Sequence, residues 1–187
     1  MSTLSLLTAS LPLQRLNRLS RVMEIATTVG IVLVIVLTVL TLLIPDWTRN
    51  LLVAKLGHAG AALPVTPAAR AAAGAVIALP VGIMLWGLLA ARALFRDFAA
   101  GQVFGESAAR RLQQFAAAIL VQAPLGPLAS AALSVAVSLA SETGERMHAI
   151  TFSLHDYYAL IIGGVLFAVA SVMREATRIA EENASFV

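Results

Sequence analysis

The sequence predicts an all-α fold: a polytopic membrane protein whose transmembrane helices form one bundle of four. Three observations carry that reading. The 187 residues are 59% hydrophobic and only 12% charged, whereas soluble domains average about 45–50% apolar and about 25% charged residues. The mean hydropathy of +0.88 leaves too little polar surface to wet a soluble fold of 19.6 kDa. Four long runs also lack Asp, Glu, Lys and Arg, and a helix of about 20 apolar residues crosses the roughly 30 Å of hydrocarbon in a bilayer. Soluble enzymes, nucleic-acid-binding modules and disordered chains are excluded, and the expected organisation is a single four-span domain, 1–187.

The first span, about 22–45, rests on the uncharged run Ile25–Pro45, IATTVGIVLVIVLTVLTLLIP. The second, about 71–95, begins with the uncharged Ala71–Ala91 and continues to Phe95. The third, about 114–140, lies within the uncharged Leu112–Ser141, and the fourth, 156–173, rests on the uncharged Tyr157–Met173 between Asp156 and Arg174. A connection at 96–113 and a tail at 174–187 complete the division.

Orientation follows from the basic residues, which concentrate on the cytoplasmic side of spans. Arg15, Arg18, Arg21, Arg92, Arg96, Arg110, Arg111, Arg174 and Arg178 place nine on one side, against Arg49, Lys55, Arg70 and Arg146 on the other. The expectation is a multi-pass protein of the bacterial inner membrane with cytoplasmic N- and C-termini. Trp47, Tyr157 and Tyr158 suit an interfacial aromatic belt. The first span is longer than a signal peptide's apolar core, and no small-x-small site precedes Pro45-Asp46-Trp47, so it reads as a retained span. Ahead of it, an amphipathic helix is expected on the inner leaflet, with Leu13, Leu16 and Leu19 facing the lipid.

The spans offer little chemistry. Zero cysteines remove disulfides and thiolate sites. Glu24 stands at the end of the first span, one turn from Arg21, and is expected to pair with it at headgroup level. Gln122 is the most polar residue inside a span. An interhelical hydrogen bond is its plainer role, and a ligand contact the alternative. Pro80 in the second span, with Pro124 and Pro127 in the third, removes backbone donors and bends helices. Helices that merely bend around their neighbours are the plainer account; the alternative is a candidate cavity at Pro80, Gln122, Pro124 and Pro127. Gly82, Gly87, Gly126, Gly163, Gly164 and Ala168 suit close helix packing first and a homo-oligomer interface second.

The third connection gathers Glu142, Glu145, His148, His155 and Asp156, but no metal-site spacing is present and a solvated loop is expected. No nucleophile–base pairing or phosphate-binding glycine loop is present, so neither an enzyme nor a cofactor is expected. The basic residues are dispersed, so lipid and not nucleic acid is the expected contact. Phe95, Phe98 and Phe104, with Arg174, Arg178 and Glu182 of the tail, form a candidate cytoplasmic docking surface, and burial of these side chains in the membrane interface is the equal alternative. Arg178 and Glu182 stand at the i,i+4 spacing of a helical ion pair.

Two segments carry a family resemblance. After the second span come Leu94-Phe95, Gly101, Phe104 and then a short helix, ESAARRL, ending at Leu112. The final span leads into LFAVASVMREATRIAEENASFV, with Glu181, Glu182 and Asn183 in an acidic tail. In these features the chain resembles the domain-of-unknown-function 2975 family of small four-helix bacterial membrane proteins. It departs from that pattern at Gly105, where Ser or Thr is common, and at Ala108, where Asn is expected. The resemblance implies a polytopic inner-membrane protein without an established reaction. It also implies, by analogy with family members, a small helix-turn-helix regulator as partner. The leading expectation is a non-enzymatic regulatory or sensory membrane component acting through its cytoplasmic face. The alternative is a small transporter, or a protein that binds a lipid or small apolar ligand in a mid-membrane cavity.

Overall fold

Long uncharged runs of Leu, Val, Ile and Ala satisfy their backbone polar groups only by closing helical hydrogen bonds, and the computed structural model is accordingly helical. It describes the backbone of residues 3–56, 66–102, 105–139 and 154–184, and side chains within 17–54, 66–102, 105–133, 135 and 154–183. The described residues form α1 (Thr3–Leu43), α2 (Pro45–Leu56), α3 (Pro67–Ala99), α4 (Glu106–Leu139) and α5 (Leu154–Ala184), with no strand among them. Four segments are long and apolar enough to cross a membrane: Asn17–Leu43, Pro67–Ala99, Glu106–Leu133 and Leu154–Asn183. This is a multi-pass membrane protein. Val29, Val32, Leu33, Ile35 and Val36 of α1 are all exposed, as side chains facing lipid should be.

Helix ends depart from expectation for local reasons. The N-terminal segment is not a separate helix, because α1 continues without interruption from Thr3 to Leu43. The Leu-rich stretch after Pro45 is a helix of its own, α2, with Pro45 in its first turn where a missing N–H costs nothing. At the start of α3, Thr66 Oγ1 accepts a hydrogen bond from the Ala69 N–H at 3.1 Å, an N-cap followed by Pro67. This moves the helix start from the expected residue 71 back to Pro67. Among the described residues Arg21 and Glu24 form no ion pair; the Glu24 carbonyl instead accepts the hydroxyls of Thr27 and Thr28.

The chain divides into two compact units. The first comprises Met1–Ile31, Trp86–Ala118 and Ile162–Val187. Its core is built largely of alanines, Ala90, Ala91, Ala108, Ala109, Ala116, Ala118 and Ala170, with Leu94. Such small side chains allow helix backbones to approach closely. At Gly87 the approach is close: a Cβ there would lie 2.6 Å from the Ala118 Cβ. The end of α3 is sealed by a Schellman motif. Gly101 has φ +81°, its N–H bonds to the Phe98 carbonyl, and the Gln102 N–H bonds to that of Asp97. Ala108 is fully buried, so the space that an Asn side chain would need is closed.

The second unit comprises Val32–Leu85 and Ile119–Ile161. Its corner between α1 and α2 is held by Thr48, whose hydroxyl donates to the Thr41 carbonyl at 2.5 Å. Thr48 and Leu52 are almost wholly buried. Arg70 reaches from α3 to donate from Nη1 to the Leu43 carbonyl at 3.2 Å, a cation at a helix C-terminus. Gly74 lets the Leu42 side chain pack 3.3 Å from the position of a Cβ.

Candidate functional site

The second unit contains a pocket of about 290 Å³. From α3 it is lined by Ile77, Pro80, Val81 and Met84, and from α4 by Gln122, Leu125, Gly126, Ala129, Ser130 and Leu133. Both sets follow the i, i+3, i+4, i+7 spacing of a single helix face. Gly126, Ala129 and Ser130 give the α4 face small side chains, which leave room for the pocket. Leu51 of α2, with His155 and Asp156 at the start of α5, completes the wall.

Its polar groups are few. The Ser130 hydroxyl donates back to the Gly126 carbonyl at 3.1 Å and is thereby satisfied within its own helix. Gln122 Oε1 is buried, yet it has no hydrogen-bond partner among the described residues. The Asp156 carboxylate packs against the bare Cα of Gly126, since a Cβ there would meet Asp156 Oδ1 at 2.6 Å.

Of the cavity residues named from sequence, Pro80 and Gln122 lie on this wall, whereas Pro124 and Pro127 do not. The reason is angular. Successive residues of an α-helix are about 100° apart, so Pro124 lies about 200° around α4 from Gln122, and Pro127 about 140°. Pro124 is exposed and Pro127 buried. His155 and Asp156, read as members of a solvated loop, stand instead in the first turn of α5. Glu142, Glu145 and His148 lie outside the described residues, and among the described residues no His/Asp/Glu group fit to hold a metal is present.

The candidate docking residues belong to the first unit. Arg174 donates from Nη1 to Gln113 Oε1 at 3.1 Å, tying α5 to α4. Arg178 is held on its own helix by Glu175 and, at 2.7 Å, by Glu182. Hydrogen bonding with Arg178, reinforced by its charge, lowers the Glu175 pKa below the ordinary carboxylate value. A polar groove of about 470 Å³ opens here, lined by Glu106, Gln113, Ser171, Arg174, Glu175, Arg178 and Glu181. Phe95 and Phe98 make an edge-to-face contact with each other, 6.4 Å between ring centres, and neither is on the groove's wall. Phe104 lies outside the described residues. Sequence reading also missed the ion pair between Arg111 Nε and Asp97 Oδ2, 2.8 Å apart, which ties the start of α4 to the end of α3.

The family described as Protein of unknown function (DUF2975) matches residues 52–187. No curated protein and no solved structure matches the chain.

Proposed function

The chain belongs to the DUF2975 family, and we propose that it is a non-enzymatic protein of the bacterial inner membrane, both termini cytoplasmic, that works by binding. Its ligand is a small apolar molecule held in the pocket of the second unit. One observation carries this reading: a pocket of about 290 Å³ with a mainly apolar wall that also includes Gln122, Ser130, His155 and Asp156. Ligand sites are concave, mainly apolar and furnished with a few convergent polar groups, and this one matches that description. The Ser130 hydroxyl is engaged by Gly126, and among the described residues no hydrogen bond joins it to His155. That arrangement supports binding over nucleophilic chemistry. The nine-to-four distribution of basic residues supports the orientation.

The test is equilibrium binding of naphthalene to the protein in lipid nanodiscs, with empty nanodiscs as the reference. Saturable binding at one site per chain is expected. Ala129→Phe, which places a ring inside the pocket, should remove it. Uptake indistinguishable from that of empty nanodiscs would contradict the reading.

The polar groove of the first unit favours a second reading, a regulatory docking face for a small helix-turn-helix protein. Arg174, Arg178 and three glutamates line it, a pattern suited to a partner of mixed charge. Co-purification of such a regulator, abolished by deleting 174–187, is the expected result. Co-purification that survives the deletion would contradict it.

A further inference from the structure

We propose that the polar groove of the first unit holds the headgroup of phosphatidylethanolamine, its phosphate on Arg174 and its ammonium on Glu181. The proposal goes beyond the apolar pocket of the second unit and does not depend on it. Position is the first support. Arg174 directly follows the uncharged run Tyr157–Met173, and Gln113 is the second residue of the uncharged run that begins at Leu112. Helices leave the hydrocarbon where such runs end, so both residues stand at headgroup level. The Arg174–Gln113 hydrogen bond, 3.1 Å, ties α5 to α4 at that level. Size is the second. A cavity of about 150 Å³ accommodates benzene, so a groove of about 470 Å³ has ample room for a phosphoethanolamine group.

Charge pairing leaves the groove one cation and one anion to offer. Glu106 is bonded to Arg110, and Arg178 to Glu175 and Glu182. Arg174 has five N–H donors, but its partner among the described residues is the neutral Gln113. Glu181 forms no ion pair or hydrogen bond among those residues. Both are exposed and line the same groove. They stand seven residues apart on α5, two turns and about 10.5 Å of rise along one helix face. A phosphate and an ammonium joined by a two-carbon arm, each with a charge-assisted hydrogen bond outward, span such a gap. The order also fits: Arg174 is nearer the span, as a lipid's phosphate is nearer its acyl chains than its amine is. Phosphatidylcholine has no N–H to give Glu181, and phosphatidylglycerol has no cation.

The test is native mass spectrometry of the full chain from detergent with dioctanoyl phosphatidylethanolamine, phosphatidylcholine and phosphatidylglycerol. Matched acyl chains make the headgroup the only variable, and the assay contains no protein partner. The ethanolamine lipid should bind about fivefold more tightly than either of the others, the effect of one hydrogen bond. Glu181→Ala should abolish that preference, whereas Glu182→Ala, which removes a carboxylate outside the groove's wall, should preserve it. Arg174→Gln should weaken binding of all three lipids, and Arg174→Lys should restore it. Free phosphoethanolamine at matched concentration should displace no lipid, because it lacks the chains that hold the headgroup at the groove. Equal affinity for the three lipids, tightest binding of phosphatidylglycerol, or a preference that survives Glu181→Ala would overturn the proposal. So would equal loss of the preference in Glu182→Ala, which would mean net charge alone. Displacement by free phosphoethanolamine would overturn it too, by assigning the groove to a soluble ligand.

Discussion

Gly126 of α4 gives its missing side-chain space to Asp156 of α5: a Cβ at position 126 would come within 2.6 Å of Asp156 Oδ1. The same distance separates a Cβ on Gly87 from the Ala118 Cβ, but the consequences differ. The Asp156 carboxylate is the end of a side chain and can rotate aside, whereas the Ala118 Cβ moves only with its helix. Gly87→Ala should therefore destabilise by about 1–3 kcal/mol, the range for overpacking, and Gly126→Ala by less. Gly82, with nothing within 4 Å of its Cβ position, should accept Ala without loss. Thermal unfolding of the three variants in one detergent checks the order.

The Asp97–Arg111 pair lies at the turn between α3 and α4. With side chains 13% and 30% exposed, it falls between a surface pair and a buried one, so Asp97→Ala should cost about 1–3 kcal/mol. The measurement is a double-mutant cycle with Arg111→Ala. The double variant should be less destabilised than the sum of the two singles, since neither charge is then left without its partner.

Thr48 supplies the donor that satisfies the Thr41 carbonyl near the end of α1. Thr48→Val keeps the shape and removes the hydroxyl, leaving that carbonyl without its side-chain donor, and should cost about 1–2 kcal/mol. Unfolding measurements on Thr48→Ser, which retains the hydroxyl, separate the lost bond from the altered packing.

Arg178 has the opposite character. It and Glu175 are exposed, so Arg178→Ala should change the unfolding temperature little. Any effect of that variant on partner capture then belongs to docking. The Glu175 pKa is lowered in the folded chain, so the small contribution of the pair is present above the ordinary carboxylate pKa. It is lost as pH falls through the depressed one. NMR titration should find the Glu175 pKa moving up toward its ordinary value in Arg178→Ala.

The spans were legible because length and hydropathy alone decide whether a helix can cross a bilayer, and no tertiary partner is needed to read them. The Glu106 start of α4 was legible too, as the first residue of the short helix ESAARRL. The pocket was only half legible. Gln122 and Pro80 stood out by type, but Pro124 was grouped with Gln122 by proximity in the chain, where helical rotation puts the two on different faces. The i, i+3, i+4, i+7 series from Gln122 through Gly126 and Ala129 carried the correct signal. Asp156 was concealed by a different cause. Its neighbours in sequence are polar, and only the start of α5 at Leu154 makes it part of a wall.

The account turns on whether an apolar molecule enters that wall. The chain has five methionines, of which Met84 lines the pocket while Met23 and Met173 do not. Carbon-13 methyl NMR of the protein in nanodiscs, titrated with naphthalene, therefore reports position as well as binding. A saturable ring-current shift of the Met84 methyl, with Met23 and Met173 unmoved and the effect absent in Ala129→Phe, is the predicted result. Shifts of all three methyls that rise in proportion to naphthalene, or none at Met84, would contradict the account.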